Sequence, residues 1–167
     1  MLPKLLDFRP RRSHLWAMPE LQILELQSDQ QIENAFDLMA VMCSELKRDQ
    51  FLDDVRLLEL NGYRLVGGFV DGRLVTLAGV RRAHSLARGP YAFINDLVTH
   101  PDHRGRGYAT EMLRYIAAAA MAQGLPMICL NSYPEAMPFY EKLKFQKMDV
   151  VPCWIESGVL AGKGGES

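Results

Sequence analysis

Residues 94–109, INDLVTHPDHRGRGYA, constrain the fold of this chain more than any other stretch. Ile94, Leu97 and Val98 suit a buried strand, and Pro101, which cannot donate to a ladder, ends it. Gly105 and Gly107 then open backbone conformations closed to residues carrying a Cβ. From Ala109 the pattern turns helical. TEMLRYIAAAAMAQG is Ala-rich, repeats apolar residues at Ala109, Leu113, Ile116 and Ala120, and stops at Gly124 ahead of Pro126. A strand, a glycine-punctuated loop and a helix in succession make a candidate anion site. The first amides of a helix lack intrahelical acceptors and carry the positive end of the aligned peptide dipoles. Amides from about Arg106 to Thr110 can converge on one small volume that suits phosphate or pyrophosphate, and Arg104 and Arg106 add attraction from further away. Taken alone, the stretch also fits an ordinary strand-to-helix connection with solvated arginines.

The better-known phosphate loops are absent. There is no G-x-x-x-x-G-K-[ST], and G-x-G-x-x-G fails because Gly105-Arg106-Gly107 is followed by Tyr108, Ala109 and Thr110. What remains is Arg104-x-x-Gly107-x-Ala109. An R/Q-x-x-G-x-G/A run after a strand ending HPDHRGRG closely resembles the acetyl-CoA signature of the GNAT N-acetyltransferase superfamily. The likeness extends to residues 131–145, NSYPEAMPFYEKLKF, which resemble that family's later FYEKLGF segment. This chain departs from it at Lys144, where Gly is usual. Clear resemblance covers residues 91–145; upstream it is one of element order only.

The 167 residues, 49% of them hydrophobic, suit one cored domain rather than two. We expect an irregular arm over 1–19, a single acetyltransferase-like domain over 20–158 and a flexible Gly-rich tail over 159–167. Nineteen basic and twenty acidic residues leave a net charge of −1, which provides no general attraction to nucleic acid or an anionic membrane. The arm carries Arg9, Arg11 and Arg12. It is either a solvated tail or a segment that packs on a second copy, giving a homodimer anchored by Phe8 and Trp16. Cys43, Cys129 and Cys153 are widely spaced without a C-x-x-C, as expected of reduced thiols in a cytoplasmic protein, Cys129 in a buried strand. A catalytic cysteine would need a His partner that the sequence does not indicate. Lys4, Asp7, Arg9, Arg11 and Arg12 break up the N-terminus, so no signal peptide is expected, and no apolar run is long enough to span a bilayer.

Along the chain, 21–26 alternates as a first strand. Ser28-x-x-Gln31 has the form of a capping box opening a helix with Ile32, Phe36, Met39 and Cys43 on one face. A second helix over 47–60 turns Phe51, Val55 and Leu58 inward, ends near Asn61-Gly62, and carries Asp49, Asp53 and Asp54 on its other side. Strands 63–70 and 73–82 join through Asp71-Gly72, a strong hairpin signal. A loop at 83–90 precedes the central strand 91–99. After the long helix come a strand at 127–131, a helix from Pro134 to about Leu143, and two strands at 145–150 and 153–155. The order β-α-α-β-β-β-α-β-α-β-β predicts an α/β (α+β) fold: a mixed, mostly antiparallel sheet flanked by helices, with strand 127–131 parallel to the central one. The resemblance adds that these two parallel strands splay, so that pantetheine inserts between them.

The resemblance also implies roles. Acetyl-CoA is the cosubstrate, with no metal, and a primary amine accepts acetyl by direct attack in a ternary complex. Arg104, Gly105, Arg106, Gly107, Tyr108, Ala109 and Thr110 would hold the pyrophosphate, and backbone of Leu97, Val98 and Thr99 the pantetheine, with the Val98 amide polarising the thioester carbonyl. Tyr140 matches the tyrosine that protonates the departing sulfur; judged without the motif it reads as a core residue beside Leu143. Asn131 would contact CoA or a water, or cap the next helix. For the base, Asp96 is the carboxylate on the central strand; Asn95, expected to face the other way, could only orient a water. His100 and His103 flank Pro101 and read as solvated, and an Asp on the second helix could hold an amine's cation. The alternative activity is a non-catalytic acyl-CoA-binding sensor.

Overall fold

The computed structural model describes residues 11–12, 21–150, 153, 155 and 157. The chain divides into two compact units, Met1–Ser132 and Tyr133–Ser167. The expected arm, apart from the backbone of Arg11–Arg12, and the expected tail lie outside the described residues.

The first unit is built on a six-stranded sheet whose neighbours follow chain order: β1 (Arg11–Arg12), β2 (Gln22–Glu25), β3 (Tyr63–Val70), β4 (Arg73–Ser85), β5 (Gly89–Thr99) and β6 (Ile128–Leu130). Every pairing is antiparallel except β5 with β6, which is parallel as expected of a crossover through a helix. Asp71 (φ 48°) and Gly72 (φ 75°) turn the β3–β4 hairpin, both in the left-handed region that a tight turn of this kind requires. The next hairpin is longer than predicted. β4 continues to Ser85 and β5 begins at Gly89, so the expected loop at 83–90 contracts to three residues. Ladder pairing from Ala83 opposite Tyr91 to Ser85 opposite Gly89 satisfies backbone groups that a loop would have left to solvent.

Residues 75–78 and 80 of β4 are fully buried, so this strand is covered on both faces and reads as a continuous apolar run. One face packs on α4 (Tyr108–Ala122), which inserts Met112, Leu113, Tyr115, Ile116 and Ala120. The other carries the cluster Leu26, Ile32, Leu38, Met39, Phe51, Val55, Tyr63, Leu65, Leu77 and Val98. Each such aliphatic side chain contributes about 2 kcal/mol by burial. That cluster draws on α1 (Asp29–Asn34), α2 (Phe36–Ala40) and α3 (Arg48–Leu60).

The capping box forms as read. The Ser28 hydroxyl accepts from the Gln31 amide, and the Gln31 side chain accepts from the Ser28 amide. The single helix expected after it is two, because the chain tightens at Ala35, whose amide bonds the Ile32 carbonyl three residues back. α3 buries Phe51 and Val55 as predicted, but Leu58 is 45% exposed and lies outside the cluster. Gly62 ends α3 at φ 83°.

In the second unit, a 3₁₀ turn (Pro134–Ala136) leads into α5 (Met137–Lys142), with Pro138 tolerated in the first turn. The Phe145 amide bonds the Tyr140 carbonyl, and the Lys144 amide bonds the Glu141 carbonyl. That is a Schellman ending, and it puts Lys144 at φ 69°. The strand expected at 145–150 is absent: these residues join no ladder, and most of their side chains are exposed. Of the strand expected at 153–155, Cys153 and Ile155 are described, and neither is in regular structure.

Candidate active site

β5 carries five of the predicted site residues, Asn95–Thr99, and its pairings explain how they are presented. On one side it bonds β4 along its whole length; on the other, β6 pairs only with Ala92–Ile94. From Asn95 to Thr99, the β6-facing edge of β5 has no ladder partner among the described residues. Main-chain donors and acceptors on such an edge are a template for an extended ligand. Leu97, Val98 and Thr99 lie on this stretch. The buried Thr76 hydroxyl donates to the Val98 carbonyl at 3.0 Å and stands 3.1 Å from Thr99 Oγ1, fixing the segment from the β4 side.

Past Thr99 the chain makes a 3₁₀ turn (Pro101–His103) and enters the loop ahead of α4. The His100 amide bonds the Val75 carbonyl at 2.9 Å, and Arg104 Nε donates to the Thr99 carbonyl at 3.3 Å, so both ends of the turn are tied to the sheet. Gly105 and Gly107 have φ 74° and 80°. Gly107 is the N-cap of α4 and offers no side-chain acceptor, where Ser, Thr, Asp or Asn would normally satisfy the N2 or N3 amide. The amides of Tyr108, Ala109 and Thr110 are therefore left for an external acceptor at the positive end of a 15-residue helix. Arg104, Gly105, Arg106 and Gly107 are exposed around them. A Cβ at either glycine would meet nothing within 4 Å, so open space borders the loop. These features fit a pyrophosphate-bearing cosubstrate.

His103 is not the solvated residue expected. Its ring sits 5.6 Å from His100 and 6.2 Å from Tyr108, and its Nδ1 is buried without a partner, as is the Tyr108 hydroxyl. No group of three or more His, Cys, Asp or Glu among the described residues is placed to hold a metal ion.

Asp96 and Asn95 sit at a β-bulge. β4 pairs Gly79 with Asp96 and then Val80 with Ile94, so Asn95 is an extra residue on β5. Strict alternation across 95 and 96 therefore fails, and the two side chains do not face opposite ways. Asn95 Oδ1 accepts from Arg81 Nε at 3.2 Å, while Asp96 Oδ2 accepts from the Tyr63 hydroxyl at 2.7 Å above Gly79. Arg81 and Gly79 are two apart on β4 and share its face. The bulge also moves the strand's inward residues from the α4 side, where Ala92 and Ile94 point, to the side of Tyr63 and Val98.

Asp96 is half-buried, and burial pushes its carboxyl above the usual carboxylate range while the Tyr63 hydrogen bond pulls it partly back. Tyr63, 3% exposed, is driven well above an ordinary phenol by burial and then by the Asp96 charge. The Cys43 thiol, which follows α2, is raised by burial and by Asp96. Tyr63 and Gly79 were not singled out from the sequence, where Cys43 reads as a reduced thiol on one face of the first helix. The available signal was Gly79 itself, a glycine inside the otherwise apolar run VTLAGV, which marks a close approach. Asp49, Asp53 and Asp54 are exposed on α3.

Asn131 is exposed just beyond β6, and Cys129 is buried within it. In the second unit, Tyr140 is 9% exposed, with the Phe139 ring at 5.0 Å and Phe145 at 5.4 Å, both edge-on. Burial raises its phenol.

The sequence profile of the family described as Acetyltransferase (GNAT) family matches residues 22–145. A glucosamine 6-phosphate N-acetyltransferase of Trypanosoma brucei brucei is 31% identical over 77 residues, 45% of this chain. The match spans about half of that relative, 52% of its length. Among solved structures, a Trypanosoma brucei acetyltransferase superposes with a TM-score of 0.68 at 20% identity over 81% of this chain and 99% of its own. An aminoglycoside N-acetyltransferase in complex with CoA gives 0.73 at 16% identity over 86% and 99%. At these identities the likeness is one of fold.

Proposed function

The chain belongs to the acetyltransferase (GNAT) family, and on that premise we propose that it is an N-acetyltransferase that moves acetyl from acetyl-CoA to a primary amine by direct attack. The observation that carries this reading is the continuity on β5 of a half-buried carboxylate, Asp96, with an unpaired strand edge that leads into the glycine-capped helix start.

Acetyl-CoA, when bound, supplies an activated acetyl thioester. The amides of residues 108–110, with Arg104 and Arg106, hold its pyrophosphate, and the free edge at Leu97–Thr99 aligns its pantetheine arm. The donor to the thioester carbonyl is an outward-turned amide of that edge, Leu97 or Thr99; the Val98 backbone turns to β4, where its carbonyl accepts from Thr76 and, two residues on, the His100 amide bonds the Val75 carbonyl. Asp96 takes the proton from the acceptor's ammonium. A carboxyl whose pKa is raised toward neutrality is a better base for this than an ordinary aspartate. Its Oδ2 is engaged by Tyr63, and among the described residues Oδ1 has no donor. Asn95, held by Arg81, orients water at the rim. Tyr140 gives its proton to the leaving thiolate and recovers one from solvent. Net, a C–N bond replaces a C–S bond; of the two protons the ammonium nitrogen loses, one is matched by the proton that ends on the thiol and the other leaves Asp96 for solvent.

The test is release of free thiol from acetyl-CoA with a panel of amines headed by glucosamine 6-phosphate, for which the trypanosome relative is named, and continuing through aminoglycosides, polyamines and amino acids. We expect amine-dependent release by at least one. Binding of acetyl-CoA without release by any member would replace the enzyme with an acyl-CoA-binding module.

A further inference from the structure

Gly79 stands where no side chain fits. A Cβ built there would lie 2.0 Å from Tyr63 Oη, 2.4 Å from Tyr63 Cζ and 2.4 Å from Asp96 Oδ2, all distances that real contacts do not reach. The glycine is in the middle of β4, where it loses more conformational entropy than any other residue and adds no packing. What occupies the vacated volume is a hydroxyl and a carboxylate. Tyr63 reaches it diagonally from β3, where its own partner on β4 is Arg81. Asp96 reaches it from the bulge, which turns its side chain to the Tyr63 side of the sheet. Three separate departures from a regular sheet — a glycine, a bulge and a buried phenol — converge on one 2.7 Å hydrogen bond.

We propose that Tyr63 is the positioning residue of the acceptor's base: seated in the space that Gly79 leaves, its hydroxyl holds Asp96 ionised and in one rotamer, ready to take the amine's proton. This rests on the reading of Asp96 as base and deepens it. The need for such a group follows from the site. Burial raises Asp96, which favours the protonated form, and a protonated carboxyl is no base. One charge-assisted donor moderates the rise and fixes the carboxylate, yet leaves its second oxygen open. Among the described residues no cation does this work. Arg81, on the same face of β4, is engaged by Asn95 and lies over the Phe93 ring at 5.1 Å. α3 presents the uncharged Phe51 and Val55, and the remaining titratable neighbour, the Cys43 thiol after α2, is neutral and raised.

The experiment titrates Asp96 directly by ¹³C NMR of aspartate-labelled full-length protein, its signal assigned by its loss in Asp96→Asn. It is paired with the pH profile of kcat/KM on the best amine of the panel. Tyr63→Phe keeps the ring but deletes the donor, so Asp96 should titrate about one pH unit higher or more. The acidic limb of kcat/KM should climb with it, and rates well above the limb should fall less than those below it. Gly79→Ala keeps the phenol in the chain but parts the pair, its Cβ pressing on both Tyr63 Oη and Asp96 Oδ2, and should give a shift in the same direction. It also serves should Tyr63→Phe fold poorly. An Asp96 titration unmoved in both variants overturns the proposal, even if melting temperatures drop, because a packing role alone predicts that result. Should the titration move while the limb stays, Asp96 is not the base and the inference falls with that reading. Failure of every amine shows in the wild type, before any variant is compared.

Discussion

The Thr76 hydroxyl, fully buried, donates to the Val98 carbonyl at 3.0 Å. It bonds the Asn95–Thr99 stretch of β5, whose β6-facing edge has no ladder partner among the described residues. β4 thus anchors, by a side chain as well as by its ladder, the piece of β5 proposed to lie along the cosubstrate.

Thr76→Val keeps shape but loses that donor, leaving the Val98 carbonyl short of a partner beside a fully buried side chain. The expected cost is about 1–2 kcal/mol, read as a melting temperature lower by roughly 2–8 °C for a chain of this size. Thr76→Ser should retain most of the bond. Equal melting of Thr76→Val and wild type would show that the hydroxyl contributes nothing.

The Gly107 prediction concerns φ rather than space. The Cβ of a substituted residue meets no protein atom, but φ 80° is a genuine outlier for a β-branched side chain. Gly107→Val should reset the first turn of α4 and turn its amides away. At a concentration 100-fold above Kd, acetyl-CoA stabilises a native-only binder by about 2.7 kcal/mol, or roughly 5–10 °C here. Wild type should show that shift and Gly107→Val little of it, with Gly107→Asn between them because Asn tolerates this region. Equal shifts in all three would move the pyrophosphate elsewhere.

Lys144 occupies a position built for glycine. Its φ of 69° in the Schellman ending of α5 costs a residue with a Cβ about 1–2 kcal/mol, offset in part by glycine's greater entropy in the unfolded chain. Lys144→Gly should therefore stabilise by about 0.5–1 kcal/mol, measured as a higher urea midpoint at unchanged m-value. A lower midpoint would mean that the lysine side chain contributes more than its backbone strain costs.

Sequence legibility followed the range of the forces involved. The capping box at Ser28, the Asp71-Gly72 turn and the helix after Gly107 are set by residues within four positions of one another, and each was readable. So was the parallel pairing of β6 with β5, because crossover handedness leaves few choices. The pairing of Ala83 with Tyr91 was not, since it depends on two strands extending past their apolar runs. Nor was the bulge at Asn95, a register property that belongs to β4 and β5 jointly. Missing it put Asn95 and Asp96 on opposite faces and hid Tyr63, which meets Asp96 only because the alternation breaks. Lys144 departs from the family's usual glycine, and its backbone keeps the conformation that glycine would adopt.

The last prediction assigns Tyr140. Its phenol is buried between Phe139 and Phe145, and burial raises its pKa above the ordinary 10. A raised pKa keeps the proton on through neutral and mildly alkaline pH, so a group acting as acid stays competent there and is lost only as pH climbs through the raised value. If Tyr140 supplies the thiolate's proton, kcat should show no basic limb from it between pH 7 and about 10. Tyr140→Phe keeps the ring contacts and removes the proton. kcat should fall by roughly 10²-fold or more, the scale of general acid catalysis, while Kd for acetyl-CoA, measured directly, changes little, because the hydroxyl acts in the transition state. A core-only tyrosine gives the reverse pattern: the melting temperature drops and turnover per folded molecule survives. A kcat within about twofold of wild type would remove the assignment, being far below the loss an acid entails.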